Sequence, residues 1–191
     1  MPLIEIVAAL LGVACVALVV GRSVWNYPLG IASVALYAYV FFVAKLYSDA
    51  LLQIFFIVVN AYGWRNWQRN RTKTGAVMVE AMTMPEVLRW LAGGTAAIAG
   101  WGWMMHHYTD ASYPWPDAAI AITSIIAQVL MARRKWQNWV LWIAVDVASI
   151  PLYALKSLGP TIILYCVYLV LAVWGLVAWR RVRRAQGSAV A

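Results

Sequence analysis

Seven apolar runs follow one another along this chain, at about 4–21, 28–44, 49–67, 87–107, 117–132, 138–156 and 160–179. A helix needs about 20 apolar residues to cross the hydrocarbon core of a bilayer, and fewer when flanking side chains reach back to the interface. With 64% hydrophobic and 12% charged residues, the composition lies far from that of soluble domains, where about a quarter of residues are charged. The expected fold is an all-α membrane protein of seven transmembrane helices, with a single transmembrane domain across residues 1–191. The first run has a glutamate, Glu5, and no basic leader, so it reads as a span and not as a signal peptide. Cys15 and Cys166 both fall inside apolar runs, where free cysteine acts as a small packing residue, and neither a disulfide nor a metal motif is indicated.

The charges orient the bundle. Seven spans put Arg22, Arg65, Arg69, Arg71, Lys73, Arg89, Arg133, Arg134, Lys135, Arg180, Arg181, Arg183 and Arg184 on one side, leaving Lys45 and Lys156 opposite. Glu5, Asp49, Asp110 and Asp117 share the side of Lys45 and Lys156. Cytoplasmic loops carry the excess of Lys and Arg, so the expected N-terminus is outside and the basic tail inside. The net charge of +8 is then explained by anionic lipid, with no need for a nucleic acid partner.

The sequence also repeats itself. A shift of 112 residues pairs Glu5 with Asp117, Leu18 with Leu130, Arg22 with Arg134 and Asn26 with Asn138. The same shift pairs Ile31 with Ile143, Leu46 with Leu158, Gly63 with Gly175 and Trp67 with Trp179. One register held across three helices indicates a duplication. Four spans separate equivalent positions, and an even number keeps the direction, so the halves are expected as parallel repeats about an axis along the membrane normal. The organisation is a first three-helix bundle at 1–67, a linker helix at 87–107, a second bundle at 117–179 and a basic cytoplasmic tail at 180–191.

Asp146 is the one carboxylate near the middle of an apolar run. An ionisable group at bilayer depth costs a few kcal/mol, about 2.5–3.5 on insertion scales, so it normally faces an internal cavity on a substrate, ion or proton path. Trp139, Trp142, Asp146 and Tyr153 recur at helical steps and share one face. Flat rings on that face can pack against other rings or attract a cation through their π faces. The competing reading gives the tryptophans a packing role and Asp146 a local hydrogen-bonding or protonated one.

Two stretches then resemble a known family. WNYPLGIASVALYAYVFFVAKLYSDALLQIFFIVVNAYGWRNW, from Trp25, and KWQNWVLWIAVDVASIPLYALKSLGPTIILY, from Lys135, are similar to the signature regions of the PnuC family of nicotinamide riboside transporters. The resemblance implies a 3+1+3 fold related to the SWEET sugar transporters. It further implies facilitated diffusion of a small cationic vitamin-like substrate across a bacterial inner (plasma) membrane, feeding a cytoplasmic riboside kinase. A homo-oligomer, a trimer, is implied in the same way. The family's best-known members carry Asn at the position matching Asp146, and the sister PnuT group carries thiamine, also a cation; thiamine is the alternative substrate.

The resemblance places the site on helices three, five and six. Gln53, Asn60 and Trp64 share a face of helix three; Asp117, Ala121, Ser124 and Gln128 form a stripe on helix five. Asn138, Trp139, Trp142, Asp146 and Tyr153 complete the expected substrate-binding set. Polar residues in spans also act as glue between helices, and both readings stand for Gln53, Asn60, Ser124 and Gln128. Trp90, Trp101, Trp103, Trp115, Trp136, Trp174 and Trp179 fall near span ends and read as interfacial anchors.

An intramembrane enzyme would need a nucleophile with its base, or clustered metal ligands. His106 and His107 are adjacent and point to different helix faces, unlike a chelating i, i+4 pair. No catalytic residue, metal or cofactor is expected. A membrane scaffold is the other alternative, but it would have little reason to keep Asp146, Gln53, Asn60 and Gln128 at bilayer depth.

Overall fold

The computed structural model describes residues 2–43, 47–71, 77–109, 113–155 and 159–188. Lys45, Leu46, Lys73, Asp110, Lys156 and Leu158, which entered the charge and repeat arguments, lie outside them. The described residues form seven helices: α1 (Pro2–Val20), α2 (Asn26–Val43), α3 (Tyr47–Arg69), α4 (Met84–Tyr108), α5 (Pro114–Ala132), α6 (Asn138–Leu155) and α7 (Gly159–Ser188). Each matches an apolar run. Among the described residues, α1, α2, α5, α6 and α7 are long and apolar enough to cross a membrane. α3 and α4 are long enough but carry more polar side chains.

The last helix departs from expectation. It runs 30 residues, to Ser188, so Arg180–Arg184 belong to a helix that continues past the apolar run of about 160–179. A helix stops where its backbone loses partners or meets a breaker, and no Pro or Gly interrupts this segment until Gly187.

α1 packs on α2 and α2 on α3; α5 packs on α6 and α6 on α7; α1 also lies against α7, α3 against α5, and α4 against α5. Positions 112 apart occupy matching geometry. Ser23 N–H reaches Leu18 C=O and Arg22 N–H reaches Val19 C=O, both at 2.9 Å, which closes α1 in a Schellman turn. Lys135 N–H to Leu130 C=O and Arg134 N–H to Met131 C=O repeat the turn after α5, again at 2.9 Å. Arg22 (φ 57°) and Arg134 (φ 61°) hold the left-handed corner position in these turns. Asn26 Nδ2 donates to Ser23 C=O and Asn138 Nδ2 to Lys135 C=O, each at 2.6 Å.

The core repeats in the same way. Trp67 Nε1 donates to Met131 C=O and Trp179 Nε1 to Val19 C=O, both at 3.1 Å, so the tryptophan near the end of α3 bonds α5 and its counterpart on α7 bonds α1. A Cβ at Gly63 would stand 2.5 Å from the Tyr27 hydroxyl, and one at Gly175 2.5 Å from the Trp139 ring. Glycine is required there because an aromatic ring from the preceding helix lies flush on the backbone. Tyr27 meets Trp67 edge-on at 5.3 Å, Trp139 meets Trp179 edge-on at 5.7 Å, and Trp67 meets Trp179 at 5.7 Å. With Val19, Val20, Val24 and Met131 these residues form the main buried cluster, at the basic end of the bundle. Trp179 is thus 1% exposed, which corrects its reading as an interfacial anchor: its repeat mate Trp67 was the better guide.

Residues 77–83 lie as a strap over that basic end. Arg22 Nη1 donates to Val77 C=O at 3.0 Å. Glu80 exchanges backbone bonds with Arg134 C=O and Trp136 N–H, at 2.9 and 3.0 Å. Its carboxylate takes Arg134 Nη2 at 2.5 Å and Lys135 Nζ at 3.2 Å. Lys135 also donates to Ala81 C=O at 3.1 Å, and Gln137 Oε1 accepts from Met82 N–H at 3.2 Å.

Candidate functional site

α6 turns Trp139, Trp142, Asp146, Ser149 and Tyr153 toward the bundle interior at spacings of three and four. Asp146 is the ninth of its 18 residues and is 3% exposed. It has no hydrogen-bond or ion-pair partner among the described residues. Ser149, one turn further, is fully buried and its hydroxyl is likewise unpartnered among them. Buried polar groups are nearly always satisfied. The Ser149 hydroxyl is such an exception, and with the Asp146 carboxylate one turn away on the same inward face it marks a place where an incoming polar or cationic group would be favoured.

α7 supplies the facing hydroxyls. Tyr153 donates to Tyr165 across 3.4 Å, with ring centroids 4.9 Å apart, and Tyr165 meets Tyr168 edge-on at 6.0 Å. Asp146 stands within electrostatic range of Tyr165 and Tyr168. A Cβ at Gly12 would lie 2.6 Å from the Tyr168 hydroxyl, so α1 is cut away where α7 presents that group.

α3 and α5 meet through their amides. Gln128 Nε2 donates to Asn60 Oδ1 at 2.9 Å, and both residues are buried. A Cβ at Gly30 would lie 3.7 Å from Asn60 Oδ1 and 3.0 Å from Cys15 Sγ, which brings α1 and α2 to the same point. The pair lacks a formal charge, and its Asn60 Nδ2 and Gln128 Oε1 have no partner among the described residues, which leaves them to a ligand.

The other expected residues have different surroundings. Gln53 and Trp64 are half-buried, and Trp64 and Trp142 pack against the aromatic cluster. Ser124 donates to Ile120 C=O at 2.8 Å in its own helix, so its hydroxyl is engaged locally. Trp139 is 2% exposed inside the cluster, with its ring on Gly175 and its Nε1 unpartnered among the described residues. Asn138 opens α6, about 12 Å along the helix from Asp146. Its hydrogen bond is the one Asn26 makes at the start of α2.

Tyr165, Tyr168, Ser149, Gly12 and Gly30 were not singled out from the sequence. The tyrosines follow a step of three on α7, and Ser149 falls on the Asp146 face. Those were the available signals. Among the described residues no group of three or more His, Cys, Asp or Glu is placed to hold a metal.

Residues 2–181 match the family model described as nicotinamide mononucleotide transporter. The chain is 32% identical to the nicotinamide riboside transporter PnuC of Neisseria mucosa, with 95% of this chain and 74% of that protein covered. It is 28% identical to PnuC of Escherichia coli, covering 97% and 88%. The riboflavin/roseoflavin transporter RibM of Streptomyces davaonensis is 31% identical, covering 92% and 83%. A crystal structure of the vitamin B3 transporter PnuC aligns with a TM-score of 0.78 at 29% identity, over 95% of this chain and 82% of that one. These are transporters and not enzymes. This chain belongs to the nicotinamide mononucleotide transporter family, alongside the PnuC proteins.

Proposed function

We propose that this protein carries nicotinamide riboside across the membrane by facilitated diffusion with alternating access. The observation that carries the reading is Asp146, buried at the centre of α6 with no partner of its own among the described residues. Nicotinamide riboside is cationic at its pyridinium ring, so Asp146 supplies the counter-charge. The Asn60–Gln128 pair addresses polar groups of the substrate, Tyr153, Tyr165 and Ser149 line the remaining wall, and Trp142 flanks it with a flat ring. Gln53 and Trp64 border the same site, while Ser124, Asn138 and Trp139 support it from behind through the helix and cluster contacts described above.

The 3+1+3 arrangement, with two parallel three-helix bundles joined by α4, is the architecture we infer. The matching corner turns and cross-half tryptophan bonds support it. In this reading the bundles rock about the site, with Pro28 and Pro160 in the first turns of α2 and α7 and Pro151 within α6. The N-terminus lies outside and the basic helix end of α7 inside the cell, following the charge asymmetry. An inside-negative potential is worth about 2.3 kcal/mol per elementary charge per 100 mV, so entry of a cation needs no coupled ion. A cytoplasmic kinase that phosphorylates the riboside would prevent its return, and assembly as a homo-oligomer is part of the same proposal.

Uptake into proteoliposomes tests this, with nicotinamide riboside, riboflavin and thiamine compared side by side at a set inside-negative potential. Riboside uptake that rises with the potential supports the reading. Riboflavin uptake indifferent to the potential would instead place this chain functionally beside RibM, and thiamine uptake alone would make it a thiamine carrier.

A further inference from the structure

A cleft of about 590 Å³ opens between α4 and α5, away from the Asp146 site. Its mouth, at the basic end, holds Arg89, Trp90 and Arg133. Arg133 lies over the Trp90 ring at 5.8 Å, an arrangement that fixes the guanidinium plane while leaving its edge free. Arg89, exposed, donates from Nε to Pro85 C=O at 3.2 Å, and its terminal nitrogens have no partner among the described residues. Neither arginine has an ion-pair partner among the described residues. Glu86 also lines the mouth, but its carboxylate already takes Thr83 N–H at 2.7 Å and lies 3.5 Å from Lys135 Nζ.

Below the mouth the walls become apolar. Ile122, Ile125 and Ile126 of α5 face Gly93 and Ala97 of α4, over about 12 Å of helix from Arg89 to Ala97. A Cβ at Gly93 would meet nothing within 4 Å, so this glycine keeps the cleft open, whereas at Gly94 a Cβ would meet Ile126 at 2.9 Å. α4 packs on α5 alone among the described helices, so no other described helix covers the cleft.

We propose that this cleft binds one anionic phospholipid, its headgroup phosphate between Arg89 and Arg133 and an acyl chain along Gly93 and Ile126. Two unpaired cations at interface level, above an apolar channel running into the bilayer, match a lipid and not a soluble anion. Basic pockets between transmembrane helices recognise anionic headgroups by this chemistry. The proposal rests on α4 spanning the membrane but not on the identity of the transported substrate.

Native mass spectrometry of the purified full chain, titrated with phosphatidylglycerol and with phosphatidylcholine of the same acyl chains, tests it. One phosphatidylglycerol is retained in preference to phosphatidylcholine. Each of Arg89→Gln and Arg133→Gln weakens binding about fivefold, and the pair about thirtyfold. Gly93→Leu, which alters no charge, plugs the channel and also abolishes retention, while Arg181→Gln with Arg184→Gln leaves it unchanged. Size-exclusion elution and circular dichroism identify any variant that misfolds, and the exposed Arg89→Gln substitution alone still discriminates. Equal retention of the two lipids, or full retention in the Arg89/Arg133 pair, would overturn the proposal. Displacement by inorganic phosphate would indicate a free-anion site, and a disulfide between two copies carrying Gly93→Cys would indicate a second protomer in the cleft; either overturns it too. Lipid binding is read directly, so it can fail while riboside transport stands.

Discussion

Gln128 on α5 donates its Nε2 to Oδ1 of Asn60 on α3 at 2.9 Å, and both side chains are buried. This bond joins α3 to α5. Removing one amide leaves the other desolvated and unpaired, which costs about 1–3 kcal/mol. Asn60→Ala and Gln128→Ala should each lower the thermal midpoint in detergent, and the double variant should lose less than the sum. Strict additivity in that cycle would show that the two amides do not interact in solution.

The two arginine corners carry opposite tendencies. A left-handed residue with a Cβ costs about 1–2 kcal/mol, yet Arg22 and Arg134 hold the strap through Val77 and Glu80. Arg134→Gly should be more stable than Arg134→Ala by about 1 kcal/mol, because both lose the ion pair and only alanine keeps the strain. Both should be less stable than the native chain. Equal stabilities for the Gly and Ala variants would contradict the left-handed geometry at this corner.

Gly63 and Gly175 should reject even a methyl group. The Tyr27 and Trp139 rings leave no space, and overpacking of this kind costs about 1–3 kcal/mol. Gly100 meets nothing within 4 Å on its helix, so Gly100→Ala should be neutral or stabilising by up to about 1 kcal/mol. Thermal unfolding of the three variants checks the contrast. A destabilised Gly100→Ala with an unaffected Gly175→Ala would reverse it.

The strap should respond to its one acidic anchor. Glu80→Gln keeps the backbone bonds to Arg134 and Trp136 but removes the carboxylate shared by Arg134 and Lys135. The carboxylate is 42% exposed, so screening limits the loss to about 1 kcal/mol or less. Glu80→Pro also removes the N–H that reaches Arg134 C=O and should cost more, about 3 kcal/mol. Proteolysis between residues 77 and 83 should accelerate in the same order.

Much of this was legible in the residues, for particular reasons. Apolar runs set by bilayer thickness gave seven helices, with ends such as 28–44 against the observed Asn26–Val43. The shift of 112 residues marked Arg22 with Arg134 and Trp67 with Trp179, and all four sit at equivalent points. The corner turns themselves were hidden because arginine, not glycine, occupies the left-handed position. The strap was hidden because its bonds are mostly backbone to backbone and leave no periodic signal. The end of α7 was missed because hydropathy reports where lipid stops and not where a helix does. Periodicity placed Ser124 on the inward stripe of α5 but could not show its hydroxyl engaged within the helix. Tyr165 and Tyr168 were overlooked because α7 is apolar around most of its circumference, so no face stood out.

Asp146 as counter-charge to a pyridinium ring is the central claim, and equilibrium binding to purified protein tests it most directly. Nicotinamide riboside and its uncharged dihydro form are titrated against the native chain and Asp146→Asn. The native protein should prefer the cation, and Asp146→Asn should weaken riboside binding about ten- to hundredfold, as loss of a buried charge-assisted contact worth roughly 1.5–3 kcal/mol requires. Dihydro-riboside binding should change little. Riboside binding that is undiminished in Asp146→Asn, with no preference for the cation in the native chain, would contradict the account.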